Sequence, residues 1–297
     1  MEFIDLKAIS LLKVAEFGNF SKAARELCLS QPAISNHIKT LEDELGFKIF
    51  ERTSAGIHPT KKGAIVINYL SQMNAIANNL KQAIASDKLS TTSLCVGITH
   101  TVESSMVVDA IAKYLNNSSP DVSIRIISGT SKSLYRLLKN KEVDFVIMEG
   151  IYDDPDIKTV MLGTDSLVLV TSPMNPLSAR STVTLDEMRA ENLIMRLPDS
   201  NTMKTFTRAL KERNCSLSDF NIILEIDNIA TIKDLIRRNF GVSILAKSVC
   251  LDEVRKGKLA VLNIENVSMV REMNLVYPKD FEYPEAIEGI VRCYNEF

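Results

Sequence analysis

Histidine occurs only three times in the 297 residues, and His37, His58 and His100 share no ligand spacing, which argues against a histidine-based metal centre. Cysteine is sparse: Cys28, Cys95, Cys215, Cys250 and Cys293 are odd in number and widely spaced, with no C-x-x-C. That pattern removes a disulfide framework and a zinc ribbon, and leaves reduced, mostly buried thiols. No apolar run approaches the ~20 residues of a bilayer-crossing helix. The N-terminus carries Glu2 and Asp5 and no small-residue cleavage site, so it reads as a folded helix, with a cytoplasmic location and no membrane partner expected. Also missing are a G-x-G-x-x-G after a strand, a G-x-x-x-x-G-K-[ST] loop, H-E-x-x-H and G-x-S-x-G. The sequence therefore gives an enzyme little support, calls for no cofactor and offers no catalytic residue. Its 11 methionines are scattered and read as core filling.

A strong charge of one sign is absent too. The net charge is −2, with 45% hydrophobic and 24% charged residues, as in a globular chain of two or three domains. Residues 1–90 hold 11 Lys and Arg against 9 Asp and Glu, and the remainder 24 against 28. So small an asymmetry matters only where positive charges share one surface.

What is present changes character along the chain. Ala8, Leu11, Leu12 and Ala15 follow the i, i+3, i+4, i+7 rule of a buried helical face, and Gly18-Asn19 stops that helix. Ser21 can cap a second helix over 22–27. After a break at Cys28-Leu29-Ser30, Ser30 can cap a third starting at Gln31, with Pro32 tolerated in the first turn, where N–H groups lack intrahelical partners. This helix sets Ala33, Ile34, Ile38, Leu41 and Leu45 on one side and ends at Gly46. Residues 47–60 read as a hairpin turning near Gly56. From Lys61 to about Lys88 the sequence is helical again, with Val66, Tyr69, Met73, Ile76, Leu80 and Ala83 spaced 3, 4, 3, 4, 3. That spacing suits a helix paired with another helix; packing on its own domain is the alternative.

Residues 87–92 are polar and turn-rich, a hinge. Beyond them the pattern gives strands over 94–98, 122–128, 143–148, 166–171, 192–196, 221–226 and 242–245, and helices over 105–116, 131–140, 202–213 and 229–239. Such alternation predicts α/β layers with mostly parallel sheets, the stretch at 162–166 passing between two lobes.

Residues 21–45 have the layout of a helix-turn-helix, in which early residues of the second helix read base edges and phosphate contacts fix its position. Gln31, Ser35, Asn36 and Lys39 fall on one helical face opposite the apolar stripe. Gln and Asn can bond adenine N6 and N7, and Ser can bond base edges or phosphate. Ser21, Lys22 and Ser30 lie at helix starts, where hydroxyls and backbone N–H groups suit phosphate oxygens. By spacing alone the same residues could be plain caps and a solvated face.

The run from Phe17 to Thr53, followed by Pro59 to Gly63, resembles the N-terminal domain of the LysR-type transcriptional regulators. The likeness extends without a gap from Ala8 to about Gly63. Its most specific pieces are Phe20-Ser21-Lys22-Ala23-Ala24, Ser30-Gln31-Pro32-Ala33-Ile34-Ser35, Leu41-Glu42, Leu45-Gly46, Phe50-Glu51-Arg52 and Thr60 to Gly63. The resemblance implies several domains: a winged helix-turn-helix over 1–60, a dimerising linker helix with hinge over 61–90, and a sensor domain related to periplasmic solute-binding proteins over 91–297. The sensor's lobes would be 91–164 plus 269–297, and 165–268. It also implies a double-stranded DNA operator, a small-molecule effector, a homodimer built through the linker helix and assembling into a homotetramer, and a place for an RNA polymerase contact. Two departures stand out: Asn36 occupies a position where the family often has Arg, and Ser54-Ala55-Gly56 lacks the wing's usual extra basic residue. Pro32 belongs to the DNA-reading motif, and Arg52, Lys61 and Lys62 remain as backbone contacts.

In the sensor, three segments lie where a strand ends and a helix begins, the usual place for a ligand. They are Thr99-His100-Thr101-Val102, Ser128-Gly129-Thr130 and Asp199-Ser200-Asn201-Thr202, with Arg196 at a strand end adding positive charge. Hydroxyls beside helix N–H groups suit an anion. The run Arg196-Leu197-Pro198-Asp199-Ser200-Asn201-Thr202-Met203 is similar to one in a family subgroup that has glycines at the Asp199 and Asn201 positions and Arg at that of Met203. This more crowded, less basic loop turns the expectation from an inorganic anion toward a small carboxylate. Plain N-caps are the competing account of these hydroxyls. The leading function is thus a DNA-binding regulator that senses a small molecule; the rivals are a ligand-binding protein whose N-terminal helices serve protein contacts only, and an α/β enzyme.

Overall fold

The first helix, α1 (Leu6–Phe17), starts where the Asp5 carboxylate accepts the Lys7 backbone N–H and stops where Gly18 adopts a left-handed conformation (φ 58°). The computed structural model describes residues 3–53, 56–85, 92–118 and 122–296. It divides into two compact units, Met1–Ser90 with Lys139–Glu142, and Thr91–Leu138 with Val143–Phe297.

In the first unit, α2 (Phe20–Glu26) begins earlier than expected. Asn19, not Ser21, is its cap and accepts the Lys22 N–H at 3.0 Å, which leaves Ser21 exposed in the first turn. Helix α3 (Gln31–Leu45) is capped by Ser30 and ends at Gly46 (φ 75°), as its spacing predicts. Strands β1 (Phe50–Thr53) and β2 (Gly56–Pro59) pair antiparallel, and α4 (Lys61–Ala85) follows. Leu11, Val14, Ala23, Ala24, Ile34, Ile38 and Ile49 form the core. Two expectations fail here: Leu12 and Ala15 are only half-buried, their place in α1 taken by Val14 and Ser10, and Leu45 is exposed at the helix end. Along α4, Val66 packs on the core while Tyr69, Met73, Ile76 and Leu80 face outward and are 44–63% exposed. The Ala83 side chain, Ser54-Ala55 and residues 87–91 of the expected hinge lie outside the described residues.

The second unit runs β3 (Thr92–Thr99), α5 (His100–Glu103), α6 (Val107–Asn117), β4 (Val122–Gly129), α7 (Ser131–Lys139), β5 (Phe145–Glu149) and β6 (Ile157–Thr171). It continues through β7 (Thr182–Val183), α8 (Leu185–Arg189), β8 (Asn192–Met195), α9 (Asn201–Lys211), β9 (Asn221–Glu225), α10 (Ile229–Arg237) and β10 (Ser243–Ala246). It closes with α11 (Leu251–Arg255), β11 (Ala260–Ile264), β12 (Val270–Pro278) and α12 (Pro284–Tyr294). The main sheet has the order β4-β3-β5-β12-β6-β11-β7, with β10 also on β6, while β8 pairs with β9.

The sheet is not mostly parallel. β3–β4, β3–β5, β7–β11 and β8–β9 are parallel, but β5–β12, β6–β12, β6–β10 and β6–β11 are antiparallel. The cause is β6 and β12, two long strands that run against their neighbours; β6 starts at Ile157, well before the expected 166, so 162–166 is strand interior. The expected helix over 105–116 forms as α6, and a short helix not expected, α5, precedes it directly after β3. One core gathers residues between 167 and 269; the facing layers bury Leu94, Val96, Ile98, Phe145, Ile147, Leu162, Leu275 and Ile290. All five cysteines are free, and only Cys250 and Cys293 are buried, fewer than expected. No helix among the described residues is long and apolar enough to cross a membrane.

Candidate DNA-binding and effector sites

Helix α3 presents Gln31, Pro32, Asn36 and Lys39 as exposed residues, with Ser35 half-buried among them. Gln31 Nε2 donates to Ser35 Oγ at 2.8 Å, so two of the base-reading candidates are linked to each other. Ser30 Oγ accepts the Ala33 N–H at 3.3 Å, which makes it a true cap. Ser21 and Lys22 are exposed on the first turn of α2, Arg52 is exposed on β1, and Lys61 and Lys62 are exposed at the start of α4. The Lys62 ammonium also lies 5.2 Å from the centre of the Phe47 ring, which steadies it.

Buried polar contacts set the attitude of α3. Ser10 donates to the Leu6 carbonyl (2.8 Å), so His37 Nδ1–H is the donor to Ser10 Oγ, also at 2.8 Å, across the α1–α3 crossing. At the far end of α3, buried Glu42 accepts the Ile49 and Phe50 N–H groups and the Lys48 ammonium. Thr60 Oγ1 donates to the Lys48 carbonyl (2.8 Å) and accepts the Gly63 N–H (2.9 Å). Gly63 packs so close to Ile49 that a methyl group would overlap its carbonyl. Glu42, Thr60 and Gly63, read above as family signatures, hold the hairpin to the helices.

In the second unit one open cleft gathers Thr99, His100, Thr101, Thr130, Arg196, Ser200 and Asn201. Ser128 and Thr202 are not on its lining. Ser128 is exposed on the other side of the β4 pleat, and Thr202, one helical step past Asn201, is turned into the core. Three of the gathered hydroxyls are N-caps as well: Thr99 accepts from Val102 N–H, Thr130 from Ser133 N–H and Ser200 from Met203 N–H. A capping hydroxyl accepts with its oxygen and can still donate a proton, as Thr130 does to Ser133 Oγ at 3.1 Å, so capping leaves Thr99 and Ser200 a proton to donate.

Gly129 and Asp199 of the expected segments also line the cleft, and three further residues do so without having been anticipated: Ser131, Glu149 and Asp227. Arg196, 2% exposed, donates from Nη2 to Asp227 Oδ1 at 2.7 Å, so its positive charge is matched and not free as expected. The other Asp227 oxygen lies 3.5 Å from His100 Nε2, while Glu103 lies 3.6 Å from His100 Nδ1. Asn201 ties the walls together: Nδ2 donates to Ser131 Oγ at 2.7 Å and approaches the Glu149 carbonyl (3.3 Å) and Oε2 (3.4 Å). Below it Tyr152 donates to the Glu149 carbonyl (3.1 Å) and stacks on Tyr135; burial holds the Tyr152 phenol above its usual range. Glu149 and Asp227 obey the strand-end, helix-start rule that found the other segments. Glu149 is the one acid closing the apolar run Phe145-Val146-Ile147-Met148, and Asp227 precedes Asn228, the cap of α10.

Residues 8–64 match the profile of the bacterial regulatory helix-turn-helix protein, lysR family, and residues 88–296 that of the LysR substrate binding domain. HTH-type transcriptional regulator CbbR of Xanthobacter flavus is 26% identical over 90% of this chain and 79% of its own length. HTH-type transcriptional activator CmpR of a Synechocystis strain is likewise 26% identical, over 90% and 86%. Among solved structures, full-length OxyR of Pseudomonas aeruginosa superimposes with a TM-score of 0.62 at 20% identity, covering 99% of this chain and 96% of that one. CbnR, a LysR family transcriptional regulator, gives 0.53 at 19%, covering 99% and 100%. These likenesses reach the fold of both units.

Proposed function

This chain belongs to the LysR family of DNA-binding transcriptional regulators, with a C-terminal effector-binding domain, and we propose that it reads its operator through α3 and senses a small carboxylate-bearing metabolite in the cleft. The exposed polar face of α3, with Gln31, Asn36 and Lys39 beside Ser35, supports the operator reading. Gln31 and Asn36 contact base edges; Lys39, Arg52, Lys61, Lys62, Lys22 and the helix starts at Ser21 and Ser30 contact phosphates. Two chains pair through the outward stripe of α4, and pairs assemble into a tetramer that leaves a surface for RNA polymerase. The protein works where the DNA is, in the cytoplasm.

The decisive experiment is binding of the purified full-length chain to DNA flanking its own gene, against scrambled competitor, at two salt concentrations. Lys39→Ala should weaken binding to all sequences and flatten the salt dependence, whereas Asn36→Ala should erode preference for the operator by about 1–3 kcal/mol. Wild-type DNA binding by both variants would mean that α3 is not the recognition helix, whereas no DNA preference from folded wild-type protein would favour the rival reading, in which the N-terminal helices serve protein contacts only. For the cleft, the hydroxyl protons of Thr99 and Ser200 and the N–H groups of the helices they cap suit a carboxylate. Ser200→Ala should then abolish the rise in melting temperature that a bound carboxylate produces, and an unchanged rise would move the site elsewhere.

A further inference from the structure

The cleft carries more acid than base. Glu149, Asp199 and Asp227 line it, against Arg196 and the weak base His100. Arg196 is taken by Asp227. Behind Glu149 stands a second guanidinium, Arg271 of β12, but it too is shared: its Nη2 lies 3.4 Å from Glu149 Oε1 and 3.8 Å from Asp165 Oδ2. Two guanidiniums thus face four carboxylates. Glu149 is 4% exposed, and Oε1 has no hydrogen-bond partner among the described residues. Its Oε2 faces Asn201 on the cleft wall. Oε1 is the oxygen beside Arg271, so Oε2 is the one a ligand in the cleft would meet.

We infer that the effector bears a protonated amine beside its carboxylate, so that the ligand class is a small aminocarboxylate and not a di- or tricarboxylate. An ammonium donates three hydrogens and accepts none, the complement of the Glu149, Asp199 and Asp227 oxygens. Its charge offsets the excess acid of the cleft, where a second ligand carboxylate would meet like charges at low dielectric. The carboxylate end lies against the starts of α7 and α9, at Ser131 and Ser200, where backbone N–H groups point outward.

The inference rests on the cleft being the effector site, and one experiment separates the two. Full-length protein is melted at pH 7.5 with each of the twenty α-amino acids, β-alanine and 4-aminobutyrate, and in parallel with succinate, glutarate and citrate, all at 10 mM. The expected result is a rise with at least one aminocarboxylate and none with the matched carboxylates. By titration, the ligand found should bind about a hundredfold more weakly to Glu149→Gln and about fivefold more weakly to Asp199→Asn. Asp199 is exposed, so its variant reports on charge without disturbing the fold. A rise confined to carboxylates lacking an amine, and removed by Ser200→Ala, overturns the inference and leaves the cleft as the site. A rise with an aminocarboxylate that survives Ser200→Ala, Asp199→Asn and Glu149→Gln overturns the cleft assignment itself. No rise with any amine-bearing compound also overturns the inference.

Discussion

Glu42 and Ile49 are joined by a buried hydrogen bond, the carboxylate of one accepting the backbone N–H of the other at 2.9 Å. The Phe50 N–H also approaches the same oxygen at 3.4 Å, and Lys48 sits on the second one, so a single acid at the end of α3 anchors the entry to β1. Glu42→Leu strands the Ile49 N–H in the core and should cost about 1–3 kcal/mol of folding free energy. Urea denaturation of the full-length protein checks this. Stability equal to wild type would mean that water or a shifted side chain replaces the carboxylate.

The outward stripe of α4 makes a second prediction. Ile76→Glu puts a charge on a face where Tyr69, Met73, Ile76 and Leu80 stand exposed. Sedimentation should show a smaller species than wild type. Folding within one chain should change by no more than about 0.5 kcal/mol, as for other surface positions. An unchanged assembly would locate subunit pairing on another surface.

Cys28 sits in the turn between α2 and α3 with φ at 54°, a conformation that costs a side chain with a Cβ but suits glycine. Its side chain is exposed, so little packing is lost on removing it. Cys28→Gly should therefore stabilise the first unit, by about 1 kcal/mol. A lower denaturation midpoint for the variant would refute the strain.

Burial pushes the Cys250 thiol up to about 12. A raised thiol favours folding only while it is neutral, so its contribution is intact below the unfolded value near 8.5 and is lost progressively as pH climbs toward the folded one. Between pH 7 and pH 10 the unfolding free energy should fall further for wild type than for Cys250→Ala, by about 2 kcal/mol. Equal slopes would contradict this. In the native protein iodoacetamide should label exposed Cys28 and spare Cys250.

Local rules made much of this molecule legible. Gly18 ends α1, and Ser30 and Gly46 bound α3, at their expected places because caps depend on near neighbours alone. Asn19 displaced Ser21 because two capping residues lay within reach and the helix took the earlier one. Strand direction was harder to read, since β6 and β12 find their partners across the whole second unit. The three cleft segments announced themselves as strand ends followed by hydroxyls. The matching of Arg196 by Asp227, and the sharing of Arg271 by Glu149 and Asp165, join residues 31, 122 and 106 positions apart, respectively, and no periodicity encodes them.

Strands β6 and β12 pair Ser166 with Val270, so the chain leaves for the 167–269 core and returns beside the point it left. Topologically that core is an insertion with neighbouring ends, tethered by two strands to the layers holding Leu94 and Ile290. The whole segment is thus a cassette that can be exchanged between relatives at one junction. One wall of the cleft, Arg196, Asp199, Ser200, Asn201 and Asp227, travels with it, and the other wall stays behind.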